Sequence, residues 1–336
     1  MLKAIGVIGA GGWGIALAKL LADKGEPVTL WCHSAESLRE LQHSRQSRAY
    51  LAGIILPSNV EITRSMEVTV ADKPLILCVV PSHTARQVMA SAAPYLSSQT
   101  IVLCCTKGLE EESLKTMGEV LGEIFGETAK QRHAFLSGPS FALEVARGLP
   151  AAVTVAARLE DTAREIQETL STQNFRVYTS TDIIGVQMGG VIKNIIAIAA
   201  GISDGLNLGH NARAALVTRG LVEMTRLAVR MGAEPMTLAG LPGLGDLVLT
   251  CAGDLSRNRK VGLQIAEGKT AQEISRGTRM VAEGVRNTRS VYLLAKRLGI
   301  EMPIVEQMYK VIYEGKKPAD AVRDLMQRSL KSEFLN

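Results

Sequence analysis

Apolar residues fall in short unbroken runs along the first half of the chain. They are AIGVIG (4–9), PVTLWC (27–32), PLILCVV (74–80), TIVLCC (100–105), HAFLSG (133–138), AAVTVAA (151–157) and FRVYTS (175–180). Runs of this length without polar alternation suit strands that are buried on both faces. Longer mixed stretches separate them. The first, GIALAKLLADKG (14–25), is amphipathic at helical spacing and closes on a glycine. Strands alternating with helices predict an α/β fold with a mostly parallel sheet covered on both sides.

Beyond about residue 182 the strand signal stops. IIGVQMGGVIKNIIAIAAGISDGL (183–206) reads as one long apolar helix. ARAALVTRGLVEMTRLAVRMG (212–232) is amphipathic, with Leu216, Leu221, Met224, Leu227 and Ala228 near one face. VYLLAKRLGI, PIVEQMYKVIYEG and PADAVRDLMQRSL read as further helices. The expected organisation is an α/β domain over residues 1–182 followed by an all-helical domain over 183–336. A length of 336 residues accommodates two such units.

Composition narrows the class. With 46% hydrophobic and 21% charged residues the chain has the balance of a globular protein. The net charge of +5 is spread without a run of five basic residues, which favours anionic small molecules over nucleic acid as partners. Cys32, Cys78, Cys104, Cys105 and Cys251 form no CxxC pair, so no zinc cage is expected, and buried reduced thiols of a cytoplasmic protein are. MLKAIGVIGAGG reads as a first strand and loop rather than a signal peptide. The uncharged runs on either side of Lys193 fall short of a bilayer span, so no membrane insertion is expected.

The first strand runs into VIGAGGWG (7–14), which holds Gly9, Gly11 and Gly14 in the pattern GxGxxG. Here the pattern follows a strand and opens a helix, the context that gives it meaning. Gly9 permits the tight turn, Gly11 lets the backbone approach a pyrophosphate, and Gly14 lets helix and strand pack closely. The helix N-terminus offers free N–H groups to the anion. This is a Rossmann-like dinucleotide loop. The second strand ends at Trp31-Cys32-His33, and no Asp or Glu follows before Glu36. A carboxylate there would hold the ribose of NAD and repel a 2′-phosphate, so NADPH is permitted. Arg39, Arg45 and Arg48 stay open between solvated surface residues and phosphate contacts.

Three further stretches carry chemistry. Lys107 in TKGLE lies past the carboxyl end of a predicted strand, the edge where open parallel sheets bind ligands. Position alone leaves it open between a loop lysine and a phosphate contact. The loop SGPSFA (137–142) ends another strand. Lys193 is the one charge in GGVIKNIIAIAAG (189–201), with no carboxylate three or four residues away on its helix. It either snorkels to the surface or stays buried with a lowered pKa, suited to moving a proton near neutrality. In GLPGLGDLVLTCAGDLSRNRKVG (240–262), Asp246 and Thr250 share a face if the segment is helical, and Ser256, Arg257 and Asn258 make a compact donor set.

Together GAGGWG, VPSH, TKGLE, SGPSFA, GGVIKNIIAIAAGISDGL, GLPGLGDLVLTC, SRN and EGVRNT resemble, in order and spacing, the bacterial type of NAD(P)-dependent glycerol-3-phosphate dehydrogenase. The resemblance runs nearly the whole chain. It implies reversible hydride transfer between NADPH or NADH and dihydroxyacetone phosphate, giving sn-glycerol 3-phosphate for glycerophospholipid synthesis, in a cytoplasmic homodimer without a metal. It implies that Lys193 is the proton acceptor. It places Lys107, Gly138, Ser140, Asn194, Asp246, Thr250, Ser256, Arg257 and Asn258 with Lys193 around the substrate. It places Gly9, Gly11, Gly12, Trp13, Gly14, His33, Lys107, Ala142, Arg257, Val281 and Glu283 around the cofactor. Position 12 is often serine in the family; glycine here loses a hydroxyl contact and keeps the backbone site. Two rivals stand beside this reading. One is a dehydrogenase of the same build acting on a hydroxy acid. The other is a catalytically silent dinucleotide sensor, which would need the loop but not Lys193 together with Asp246.

Overall fold

The computed structural model describes residues 4–126, 128–276, 283–330 and 332–333. The first half alternates β1 (Ile5–Ile8), α1 (Gly12–Asp23), β2 (Val28–Trp31), α2 (Ala35–Ser44), β3 (Val60–Thr63), α3 (Met66–Val70), β4 (Leu75–Cys78) and α4 (Ser82–Ala92). It continues with β5 (Ile101–Cys104), α5 (Met117–Phe125), β6 (His133–Ser137), α6 (Ala142–Ala146), β7 (Ala151–Ala157), α7 (Glu160–Leu170) and β8 (Phe175–Ser180). The eight strands form one sheet in the order β3-β2-β1-β4-β5-β6-β7-β8. All neighbours are parallel except β6 and β7, where Phe135 pairs with Ala156 in antiparallel register. Strand order reverses across β1 and β4, so a crevice opens beyond their carboxyl ends.

The run pattern had predicted seven of these strands. β3, with the sequence VEIT, went unseen: its exposed Glu61 and partly exposed Thr63 interrupt the apolar run at the sheet edge. Separate apolar clusters cover the two faces. Ile15, Leu17 and Leu21 of α1 pack with Ile5, Val7 and Leu30 on one. Met89 of α4 and Val120 of α5 pack with Ile8, Ile76 and Val102 on the other.

The strands end at Ser180 and helices follow: α8 (Ile183–Gly205), α9 (Gly209–Arg230), α10 (Pro235–Ala239), α11 (Asp246–Ala252), α12 (Arg257–Ala266), α13 (Ala271–Arg276), α14 (Glu283–Leu298), α15 (Pro303–Tyr313) and α16 (Pro318–Met326). α8 is their axis, buried along 185–203. Asp182 starts it by accepting the Gly185 N–H at 2.8 Å, and the other oxygen of the same carboxylate takes Glu234 N–H at 2.9 Å. Two stretches, Ile183–Gly205 and Pro235–Ala252, are long and apolar enough to cross a membrane by length and composition, contrary to the expectation that the runs around Lys193 fall short. The first has 89% of its most apolar window buried inside the protein, as a core helix does. All five cysteines are buried and free.

α8 approaches α12 closely because glycines line the crossing. A Cβ on Gly201 would lie 2.0 Å from Arg259 O, and one on Gly262 would lie 2.0 Å from Ile198 O. The crossing brings Asn194 on α8 against Asn258 on α12.

Candidate active site

Lys193 sits in the middle of α8 with 7% of its surface exposed. It does not snorkel. Its Nζ donates to Asp246 Oδ1 at 2.5 Å and to Thr250 Oγ1 at 2.9 Å. Both partners come from α11, one turn apart, as their spacing predicted. A π turn over Leu241–Gly245 leads into α11, with Gly245 N–H bonding Gly240 O at 3.1 Å. A turn this wide resets the helix phase, and π segments recur at functional sites for that reason.

The other carboxylate oxygen, Asp246 Oδ2, takes Lys107 Nζ at 2.7 Å. Lys107 comes from the loop after β5, in the sheet-bearing half. Its ammonium also donates to Gly138 O at 3.1 Å, the carbonyl that accepts the Ser140 hydroxyl at 2.9 Å. Two cations from different halves of the chain therefore share one buried anion. The cluster carries a surplus positive charge in a water-poor setting, where it favours an incoming anion far more than it would in bulk water.

Burial lowers the Lys193 pKa to about 8 from 10.5; Asp246 opposes that shift and Lys107 reinforces it. Burial acts on Asp246 in the raising direction, but Lys107 and Lys193 outweigh it and hold the carboxyl below its usual range. The result is a carboxylate that stays ionised beside an amine that exchanges its proton near neutral pH.

A second polar chain lies beside the first. Asn258 Nδ2 donates to Asn194 Oδ1 at 2.8 Å, Asn258 Oδ1 accepts Gly284 N–H at 3.0 Å, and Asn194 Nδ2 donates to Gly190 O at 3.2 Å. Each side-chain amide has two N–H groups, so each keeps one for a ligand. Ser256 acts as the N-cap of α12, its hydroxyl accepting Arg259 N–H at 3.2 Å. Arg257, in the first turn, is exposed and makes no hydrogen bond or ion pair among the described residues. Its guanidinium and the Glu283 carboxylate attract one another across the site.

The glycine loop lies at the strand-order reversal. Gly9 has φ +119°, and a Cβ there would lie 2.7 Å from Val79 O, past the end of β4. A Cβ on Gly14 would lie 1.8 Å from Gly9 O, so helix and strand need glycine there. At Gly11 the same position opens into free space, leaving a cradle beside the first N–H groups of α1, and no side chain caps that helix. These features fit a dinucleotide pyrophosphate. A Cβ on Gly12 would lie 3.8 Å from that of Ala142, at the start of α6, while Pro139 and Phe141 of the same loop stand where a Cβ on Gly245 or Gly253, at the two ends of α11, would meet them. The SGPSFA loop thus touches the glycine loop, Lys107 and the Asp246 helix at once. Trp13 is half-buried on α1, its indole N–H without a partner among the described residues.

His33 is exposed beyond β2, its carbonyl taken by Arg64 Nε at 3.2 Å. Val281 lies outside the described residues. Glu283 reaches across to α4, accepting Ser82 N–H at 3.2 Å and the Ser82 hydroxyl at 3.1 Å, and burial pushes its carboxyl up. The motif reading missed Ser137, whose buried hydroxyl faces Gly190, and Asn287, which bonds the Lys107 carbonyl. Asn287 left one signal: a polar side chain on the apolar stripe of α14, between Gly284 and Val291.

A dinucleotide loop at the switch point, facing a lysine–aspartate–lysine cluster built by both halves, defines a dinucleotide-dependent oxidoreductase. The chain belongs to the NAD-dependent glycerol-3-phosphate dehydrogenase family, whose N-terminal model matches residues 4–163 and whose C-terminal model matches 182–323. It is 53% identical to glycerol-3-phosphate dehydrogenase [NAD(P)+] of Citrifermentans bemidjiense over 333 residues, 99% of each chain. The crystal structure of glycerol-3-phosphate dehydrogenase from Coxiella burnetii superposes with a TM-score of 0.93 at 40% identity, covering 97% of this chain and 99% of that one. A D-mandelate dehydrogenase, at 14% identity and TM-score 0.62 over 95% of this chain and 99% of that one, shares the fold alone.

Proposed function

We propose that this chain reversibly interconverts dihydroxyacetone phosphate and sn-glycerol 3-phosphate with NADPH or NADH, supplying the glycerol phosphate from which glycerophospholipids are made. The observation that carries the reading is the buried Lys193 amine held by Asp246 and Thr250 beside a second cation, Lys107. When bound, the reduced nicotinamide supplies the hydride. As negative charge grows on the substrate oxygen, the Lys193 ammonium stabilises it and then donates its proton. In oxidation the neutral amine takes the hydroxyl proton. Asp246 keeps Lys193 and Lys107 aimed at a common point. Thr250 accepts a Lys193 N–H and fixes the direction of the rest.

Arg257 and the spare N–H groups of Asn194 and Asn258 hold the substrate phosphate, while Ser140 and the Gly138 backbone border the reacting end. A fixed anchor on a non-reacting phosphate orients the carbon that reacts, so its binding energy lowers the barrier. Ser256 contributes by shaping the start of α12. Gly9, Gly11, Gly12, Trp13 and Gly14 hold the pyrophosphate end of the dinucleotide, with Ala142, Lys107, Arg257 and Glu283 toward its nicotinamide end and His33 toward its ribose; Val281, outside the described residues, is a further cofactor contact in this reading. In this reading residues 1–182 are the dinucleotide domain and 183–336 the substrate domain of a cytoplasmic homodimer that neither inserts in a membrane nor binds nucleic acid.

The test is the initial rate of NADPH and of NADH oxidation with dihydroxyacetone phosphate, with unphosphorylated dihydroxyacetone, and with 2-keto acids. Rapid turnover confined to the phosphorylated ketone is expected. Turnover of a keto acid instead would favour the hydroxy-acid rival, and turnover of nothing would favour the silent sensor.

A further inference from the structure

Asn287 lies on the buried face of α14 with 1% of its surface exposed. Its Nδ2 donates to two carbonyls that belong to different halves of the chain: Lys107 O at 3.1 Å and Val191 O at 3.2 Å. Val191 precedes Lys193 by two residues on α8. The two N–H groups of a planar amide diverge at a fixed angle, so they set the distance between the backbones they bond. The two ends differ in what they gain. Val191 O is a mid-helix carbonyl that already serves the α8 ladder. Lys107 O lies past the end of β5, and among the described residues Asn287 is its partner. The lysine that depends on Asn287 is therefore Lys107. One turn earlier on the same helix, Glu283 bonds Ser82 of the sheet-bearing half, so α14 grips that half at two successive points.

We propose that Asn287 is a positioning residue for the hydride-transfer reaction, holding the Lys107 backbone against the Lys193 helix at the spacing at which both ammoniums bond Asp246. This rests on the functional reading above. Without the bridge, Lys107 is free to withdraw and Asp246 passes to Lys193 alone. The charged and titratable groups that face Lys193 are Asp246 and Cys251 from α11 and Lys107 from the loop after β5. Losing the repulsion of Lys107 while gaining an undivided carboxylate makes Lys193 more basic. In oxidation the rate limb set by neutral Lys193 must then move to higher pH.

The experiment uses the full-length enzyme and measures kcat, KM and the pH profile of kcat/KM for sn-glycerol 3-phosphate oxidation. Three variants are compared with wild type: Asn287→Leu, which keeps the size and removes the donors; Asn287→Ser, which keeps a donor of shorter reach; and Val291→Ala, which loosens the same helix without touching Lys107. Asn287→Leu is expected to lose about tenfold or more in kcat and to move the acidic limb upward by about half a pH unit or more. Asn287→Ser should do the same to a smaller extent, and it decides the matter should the leucine variant fail to fold. Val291→Ala should lower the thermal midpoint and leave the limb in place. A limb unmoved in folded Asn287 variants overturns the proposal, even if kcat falls. A limb moved as far by Val291→Ala also overturns it. Wild type inactive on sn-glycerol 3-phosphate sinks the functional reading and this inference with it; an active wild type with an unmoved limb sinks only the inference.

Discussion

Burial pulls the proton off Lys193 and Asp246 holds it on. The balance near 8, against 10.5 for a free lysine, fixes the sign of the pH response. With Lys193 as the proton acceptor proposed above, oxidation needs the neutral amine, so kcat/KM should rise with pH through about 8 and level off above it. Reduction needs the ammonium, so its rate should fall across the same interval. A limb near the free-lysine value in either profile would mean that water reaches the amine. Lys193→Met preserves length and apolar volume and should still bind NADPH in equilibrium dialysis, while kcat drops by about 10²–10⁴-fold. Arg257 makes no hydrogen bond or ion pair among the described residues, so Arg257→Ala should leave stability unchanged within about 0.5 kcal/mol. It should cost about 2–5 kcal/mol in kcat/KM for dihydroxyacetone phosphate and little for unphosphorylated dihydroxyacetone. Equal losses on both ketones would remove the phosphate anchor.

At the scale of elements, the α8–α12 crossing connects fold to site. Gly201 and Gly262 let the two backbones meet, and the same approach brings Asn194 to Asn258, the residue after Arg257 on α12. Gly201→Ala puts a methyl group 2.0 Å from Arg259 O, a backbone atom that moves only if α12 moves. It should cost about 1–3 kcal/mol in urea unfolding and raise KM for the phosphorylated ketone more than it changes cofactor affinity. An unchanged KM would show that the crossing serves packing alone. These elements differ in how plainly the chain announced them. α8 was legible because a helix buried all round must be apolar all round, which also made Lys193 conspicuous. Asp246 and Thr250 were legible as a pair because helical spacing puts them on one face. β3 was not, since an edge strand can show polar side chains to water. Nor was the direction of β7, because an apolar run reads the same in both senses. The sharing of Asp246 between two lysines is a through-space contact between Lys107 and a helix 139 residues later, and no local period encodes it. Ser256 carried both meanings at once: serine before a helix is as good a cap as it is a ligand donor, and here the cap is made.

For the whole molecule, the question is whether the two halves unfold together. Multidomain chains often do not. Here polar contacts cross the seam, among them the Lys107–Asp246 ion pair. Asp246 and Lys193 lie in the helical half, and Lys107, which brings a second cation to the same carboxylate, lies in the other. Gln187 of α8 accepts Gly118 N–H of α5 at 2.9 Å, Glu283 bonds Ser82, and Arg286 pairs with Glu111 at 2.7 Å. If the sheet-bearing half opened first, Asp246 would keep Lys193 but lose its bond to Lys107, and a hydrogen bond to a charged group contributes about 1.5–3 kcal/mol. The chain carries its own reporters. Both tryptophans, Trp13 and Trp31, belong to the sheet-bearing half. The helical half holds a tyrosine stack, Tyr292 on Tyr309 at 4.1 Å and Tyr309 on Tyr313 at 5.2 Å. Urea unfolding followed by tryptophan fluorescence and by the near-ultraviolet dichroism of the tyrosines should give one midpoint. Asp246→Asn should lower both signals together, because it leaves two ammoniums facing across the seam. If the tyrosine signal outlasts the tryptophan signal in wild type, the helical half survives alone, and the cluster at the seam cannot be what joins the two.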